Sequence, residues 1–139
     1  YFIKFIEKVP SFGKSFICID DKINNDIFRK LNNQNFYTYG LNSKSNFLIK
    51  NIKQNIKFTE FDLQVNVPNK KKISIKNLKI PLLGIHNVRN SVAAAAVSLT
   101  VGISTSDINK GLSNFKGVQI SIYILFIHKI FWWKWQNFK

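Results

Sequence analysis

The spacing of hydrophobic residues changes character three times along the chain. Residues 1–10 place Phe2, Ile3, Phe5, Ile6 and Val9 at near-helical intervals, with Lys4, Glu7 and Lys8 between them. This predicts the end of an amphipathic helix, stopped near Pro10 because proline disfavours helix in the residue before it. After a turn at 11–14, Ser15-Phe16-Ile17-Cys18-Ile19-Asp20 is almost continuously apolar, as a buried parallel strand is. Asp21 is placed to cap a helix from about Lys22 to Leu31, with Ile23, Ile27, Phe28 and Leu31 on one face. Phe36-Tyr37-Thr38-Tyr39-Gly40 predicts a second strand ending in a glycine turn. Helix, strand, helix, strand is the order of an α/β unit.

From about residue 46 to 83 the helical period disappears. Strands are predicted at 47–49, 56–67 and 73–78, the middle one alternating Phe61, Leu63, Val65 and Val67 with Asp62, Gln64 and Asn66. With a turn at 68–72, the last two form an antiparallel hairpin with one wet face. A strong helix follows from Val88 to about Val101, containing Ala93-Ala94-Ala95-Ala96, whose small side chains let a helix sit close to a sheet. Gly102 would end that helix as a C-cap. Ser104-Thr105-Ser106-Asp107 would start a short helix through Ile108 and Leu112, with Phe115 buried beside it.

Composition adds a core but no disulfide framework. The 139 residues are 45% hydrophobic and 14% aromatic, enough for one packed domain, and the single Cys18 has no internal partner. No methionine occurs and the chain starts at Tyr1, so a piece of a longer protein is expected. Twenty-one Lys+Arg against seven Asp+Glu give +14, which raises the alternative of a basic module for nucleic acid or an anionic membrane surface. The lysines are nevertheless scattered, with one run at Lys70-Lys71-Lys72 in the hairpin turn, and the favoured reading is a solvated basic surface without nucleic acid. Residues 120–139 hold all three tryptophans and no acidic residue. They read either as an interfacial peptide or as sequence foreign to the fold, for instance out-of-frame translation; a stable membrane span is not expected.

Conventional catalytic constellations are missing. His86 and His128 have no metal-ligand spacing with each other or with Cys18, so neither a catalytic nor a metal residue is assigned. Cys18, within an apolar strand, reads as a small buried hydrophobe. One motif stands out: Gly84-Ile85-His86-Asn87-Val88-Arg89-Asn90-Ser91-Val92-Ala93-Ala94-Ala95. Asn87 and Asn90 lie three apart, hence on one helical face. Each amide presents donors beside an acceptor, the complement of the adenine N6 and N7 edge. The alternative is that Asn87 merely caps the helix and Asn90 is exposed.

This motif, Gly84-x-His86-Asn87-x-x-Asn90-x-x-Ala93-Ala94, resembles the signature of the Mur ligase family, the ATP-dependent amide ligases of peptidoglycan precursor synthesis. Phe5-Ile6-Glu7-Lys8-Val9-Pro10-Ser11-Phe12-Gly13, Cys18-Ile19-Asp20-Asp21, Thr38-Tyr39-Gly40, Gly102-Ile103 and Phe115-Lys116-Gly117-Val118-Gln119 carry the resemblance further, in the family's order. It covers residues 1–119 and is greatest to members that join L-alanine to UDP-N-acetylmuramate. It implies an α/β fold: an incomplete central ATPase domain, a parallel-sheet remnant with helices plus an antiparallel β-hairpin section. It also implies that Asn87 and Asn90, with His86 beside them, contact the adenine of ATP.

In such a ligase ATP phosphorylates the muramoyl carboxylate, L-alanine attacks the acyl phosphate, and Mg²⁺ neutralises charge. The resemblance places the phosphate loop and metal ligands ahead of Tyr1. An arginine-containing stretch belongs after Gln119, where Ile120-Ser121-Ile122 stands instead. Residues 1–119 are therefore expected to be the second half of a central domain and 120–139 a tail outside it. Such a chain is expected to be inactive without the parent's other domains and to derive from a cytoplasmic enzyme.

Overall fold

The computed structural model describes residues 2–31 and 35–117. Helix α1 (Phe2–Glu7), strand β1 (Ser15–Cys18), helix α2 (Lys22–Lys30) and strand β2 (Phe36–Gly40) come first. Strands β3 (Phe47–Gln54), β4 (Thr59–Val65) and β5 (Ile73–Ile80) follow, then helices α3 (Ile85–Thr100) and α4 (Thr105–Asn114). Residues 120–139, the expected tail, and Val118 and Gln119 before them lie outside the described residues.

One five-stranded sheet runs β1-β2-β3-β4-β5. Its first three strands are parallel and its last three antiparallel, so β3 joins the two halves. The mixed α/β architecture expected from the sequence is therefore present. Alternation along β1 sends Ile17 and Ile19 to one face, where they meet Ile6, Ile27, Leu31 and Phe36. Phe16 goes to the other face and joins the larger core under α3, which holds Phe47, Phe61, Leu63, Leu78, Val88 and Val92. Phe16, Tyr37 and Phe47 meet there with ring centroids 5.9–6.2 Å apart.

Side chains explain where elements start and stop. Asp21 accepts from the Asn24 N–H at 2.8 Å, capping α2 as its position predicted. Asn46 knits three strands: its Oδ1 accepts from the Thr38 N–H at 2.9 Å and its Nδ2 donates to the Asn66 carbonyl at 3.1 Å. Strand β4 starts at Thr59, three residues later than the alternation suggested. Asn55 Oδ1 takes the N–H groups of Lys57 and Phe58, both at 2.9 Å, so a side-chain turn replaces the ladder and Ile56 is left 92% exposed.

Strand β3 runs five residues past the expected 47–49, although residues 50–54 have no buried position. Pairing with β4 carries it, and the Asp62 carboxylate steadies the irregularities on both sides of that strand. Asp62 Oδ2 accepts from Asn51 Nδ2 at 2.7 Å and Oδ1 from the Asn77 N–H at 2.9 Å. Asn51 (φ 51°) and Asn77 (φ 56°) are both left-handed, a conformation asparagine tolerates better than most residues.

The hydrogen bond from Asn51, then that from Asn77, holds the Asp62 carboxyl below the usual carboxylate range. A depressed folded-state pKa contributes stability present above about pH 4 and lost as pH falls through the lowered value. Asp62→Ala is therefore expected to be less stable than the parent at neutral pH and to lose less on acidification. Urea midpoints measured between pH 7 and pH 2 check this; parallel curves would contradict it.

Candidate functional site

Helix α3 is built to lie flat on the sheet. Val88, Ser91, Val92, Ala95 and Ala96 are buried beneath it. The helix begins at Ile85, one turn before the Val88 start expected from the apolar pattern. Gly84 is the N-cap with φ 93°, and its N–H donates to Gln54 Oε1 at 2.9 Å. No atom would obstruct a Cβ at Gly84, so the glycine serves the backbone angle rather than a close approach. At the other end Gly102 (φ 89°) and the bond from Ile103 N–H to the Ser98 carbonyl, 3.0 Å, close the helix.

This earlier start moves both asparagines inside α3. Asn87 is not an N-cap: its Nδ2 donates to the Leu83 carbonyl at 2.7 Å, fixing the side chain against the segment leading into the helix. Asn90 is exposed, and its side-chain amide makes no hydrogen bond to the described residues. Both asparagines line one cavity of about 750 Å³ between α3 and α4. Ser91, Ala94 and Ser98 continue the α3 wall at helical spacing, while Asp107, Gly111 and Leu112 form the α4 wall. Phe115 lines the same cavity and is 44% exposed, so the expected burial beside α4 is not complete. His86 is exposed and is not among the lining residues.

Small residues open this space. Ala94 and Gly111 stand where longer side chains would close the groove between the helices. Helix α4 is set by its cap: Ser104 Oγ accepts from the Asp107 N–H at 3.1 Å and donates to Asp107 Oδ2 at 2.6 Å. The cavity thus offers amide groups at one end and mainly apolar walls along its length. It suits a flat heterocycle carrying both donors and acceptors.

On the opposite flank of α3 lies a junction the motif reading missed. Asp20, its side chain 6% exposed, accepts from Arg89 Nε at 2.7 Å. It also takes the N–H groups of Leu41 at 2.6 Å and Asn42 at 3.1 Å. Gly40 has φ 139°, and a Cβ there would run into the Asp20 carboxylate. The available signal was Arg89 itself, one of only two arginines beside nineteen lysines. A planar fork rather than a flexible ammonium suits a fixed, partly buried pair. Cys18 sits nearby, its thiol pushed up by burial, which keeps it protonated and unreactive at neutral pH.

Among the described residues no group of three His, Cys, Asp or Glu could hold a metal ion. None of the described helices is long and apolar enough to cross a membrane. Lysines of the antiparallel half are exposed, and Lys79 is held by Glu60 at 3.9 Å and lies 4.2 Å over the Phe58 ring.

The sequence profile of the Mur ligase middle domain matches residues 1–98. A UDP-N-acetylmuramate–L-alanine ligase of Pelagibacter ubique is 59% identical over 128 residues, which is 92% of this chain and 28% of the relative. The ligase of the same name in Brachyspira hyodysenteriae is 35% identical over 119 residues, 84% of this chain and 24% of its own length. The chain thus spans about a quarter of these relatives. In structure it is similar to MurF from Acinetobacter baumannii, with a TM-score of 0.64 at 22% identity over 84% of this chain and 24% of that one.

Gly40→Ala is expected to destabilise the fold by more than about 2 kcal/mol, since strain and the collision with Asp20 coincide. Chemical denaturation checks this; a loss below about 0.5 kcal/mol, ordinary for a surface position, would contradict it.

Proposed function

Because the chain belongs to the Mur ligase family through its match to the middle domain, we propose that residues 2–117 form the adenine-holding part of an ATP-dependent amide ligase. The observation that supports this is the placement of Asn87 and Asn90 on the wall of one cavity. In this reading the Asn90 amide, which makes no bond to the described residues, meets the N6 and N7 edge of adenine. The Asn87 amide, steadied on the Leu83 carbonyl, presents its oxygen beside it. The ring slides between Ala94 and Leu112, while exposed His86 contributes least.

The substrates follow from the relatives' names: UDP-N-acetylmuramate and L-alanine. ATP passes its terminal phosphoryl group to the muramoyl carboxylate and leaves as ADP. The L-alanine amine then attacks the acyl carbon, expelling phosphate and forming the amide. Supplied with the parent's other domains, the assembly works in the cytoplasm, where its nucleotide-linked substrates are found. Among the described residues no three His, Cys, Asp or Glu side chains come together, and no step through Mg²⁺ is assigned to them. Residues 2–117 supply base recognition and require phosphate-binding and amino-acid-binding parts from elsewhere.

Titration of the ¹⁵N-labelled chain with adenosine tests this. The side-chain amide signals of Asn87 and Asn90 should shift, and Asn90→Ala should weaken binding about tenfold or more, which is about 1.4 kcal/mol. Asn109→Ala, on the exposed face of α4, should leave it unchanged. Equal effects would reject the adenine role. Ala94→Leu, which fills the cavity, should abolish the shifts while changing stability by no more than about 0.5 kcal/mol.

The ligase reading has its own test. With residues 2–117 grafted into the Pelagibacter ubique relative, L-alanine-dependent ADP release should persist and Asn90→Ala should raise KM for ATP more than it lowers kcat.

A further inference from the structure

The Asp20–Arg89 pair is shorter and less exposed than an ordinary surface ion pair, and its place in the chain gives it a specific task. Arg89 lies between the two cavity asparagines in sequence but makes its bond on the opposite flank of α3. Consecutive helix residues are turned by roughly 100°, so one fixed point at 89 determines where 87 and 90 face. The start of the helix is tied by the Gly84 N–H to Gln54 and by Asn87 to the Leu83 carbonyl, and beyond it Val88 and Val92 are fully buried against the sheet. Apolar burial resists separation but is non-directional. The bond from Arg89 Nε to Asp20 Oδ2 supplies the direction at 2.7 Å.

Asp20 is in turn immobilised. Its Oδ1 holds the Leu41 and Asn42 N–H groups of the turn after β2, and Gly40 lets the carboxylate press against that backbone. The bond therefore refers α3 to the ends of two parallel strands. We propose that Arg89 is a positioning residue: braced on Asp20, it sets the roll of α3 that keeps the Asn87 and Asn90 amides turned into the cavity. Asp20 acts through Arg89 and does not touch the nucleotide. The functional part of this inference rests on the adenine reading; the geometric part does not.

The test uses the full chain, with adenosine as the probe. Arg89→Leu should weaken adenosine binding about tenfold or more, whereas Arg89→Lys, which keeps a charge within reach of Asp20 but not the planar fork, should recover part of it. Arg89→Leu combined with Asp20→Asn avoids stranding a buried charge, and the amide oxygen introduced at position 20 can still accept from the Leu41 and Asn42 N–H groups. That double variant should melt near the parent temperature and still bind as poorly as Arg89→Leu. A folded double variant that binds adenosine with parental affinity overturns the proposal, as does failure of Arg89→Lys to bind better than Arg89→Leu.

If the parent chain itself shows no adenosine-induced shift, the adenine reading fails and the brace is judged by amide hydrogen exchange. Exchange at residues 88–90 should then be at least about tenfold faster in the double variant, with residues 95–99 unchanged. Equal exchange at 88–90 overturns the brace.

Discussion

One carboxylate gathers elements that share no common hydrogen-bonded ladder. The parallel strands β1 and β2 are bonded to each other, but α3 meets them only through side chains, and the turn after β2 leaves the sheet at Gly40. Asp20 receives donors from that turn and from α3, and it lies just past the end of β1. A carboxylate this buried is tolerable because both oxygens are occupied by donors and one partner carries the opposite charge. The same geometry explains why Gly40 has no side chain: Ile19, just past β1, still donates to the Tyr39 carbonyl, and Asp20 beyond it serves the junction.

With α3 so braced, its two flanks take different work. One flank carries Arg89 toward the parallel strands, and the other carries Asn87, Asn90, Ala94 and Ser98 along the cavity shared with α4. The alanine run serves both: Ala95 and Ala96 let the helix approach the sheet closely, while Ala94 leaves room on the cavity side. A run of four small residues would otherwise be a weak core, since little apolar area is buried per residue. Its value lies in the closeness it allows beneath α3 and the space it leaves beside it.

Much of this was legible in the sequence, for identifiable reasons. Wherever apolar spacing and a local side-chain signal agreed, as at Asp21 before α2, Gly102 after α3 and Ser104 before α4, the element was placed within a residue or two. The motif was legible through its resemblance to the Mur ligase signature; the two amides alone left a structural reading open, and Asn87 does bond the Leu83 carbonyl while Asn90 is exposed. Three features were hidden. The early start of α3 depends on Gln54, thirty residues away, satisfying the Gly84 N–H. The long β3 depends on pairing that its own pattern does not show. The Asp20–Arg89 pair joins residues 69 apart and has no periodic trace at all.

If the cavity seats adenine as proposed, the energetics of base recognition indicate how it would be used. An amide hydrogen bond contributes about 0.5–1.5 kcal/mol net, and burying a ring against aliphatic side chains adds about 1.5–3 kcal/mol. Two amides and one apolar wall thus sum to roughly 4 kcal/mol, a dissociation constant near 1 mM. In the proposed reading such contacts would choose adenine without holding ATP tightly. The remaining affinity has to come from groups that grip the triphosphate, and the exposed lysines of β3 and β5 do not line the cavity that would seat the base. In that reading selectivity and grip are divided between different parts of the protein. On this division the rigid orientation of α3 matters more than any single bond it presents, because a weak contact selects its base only when it is already aimed.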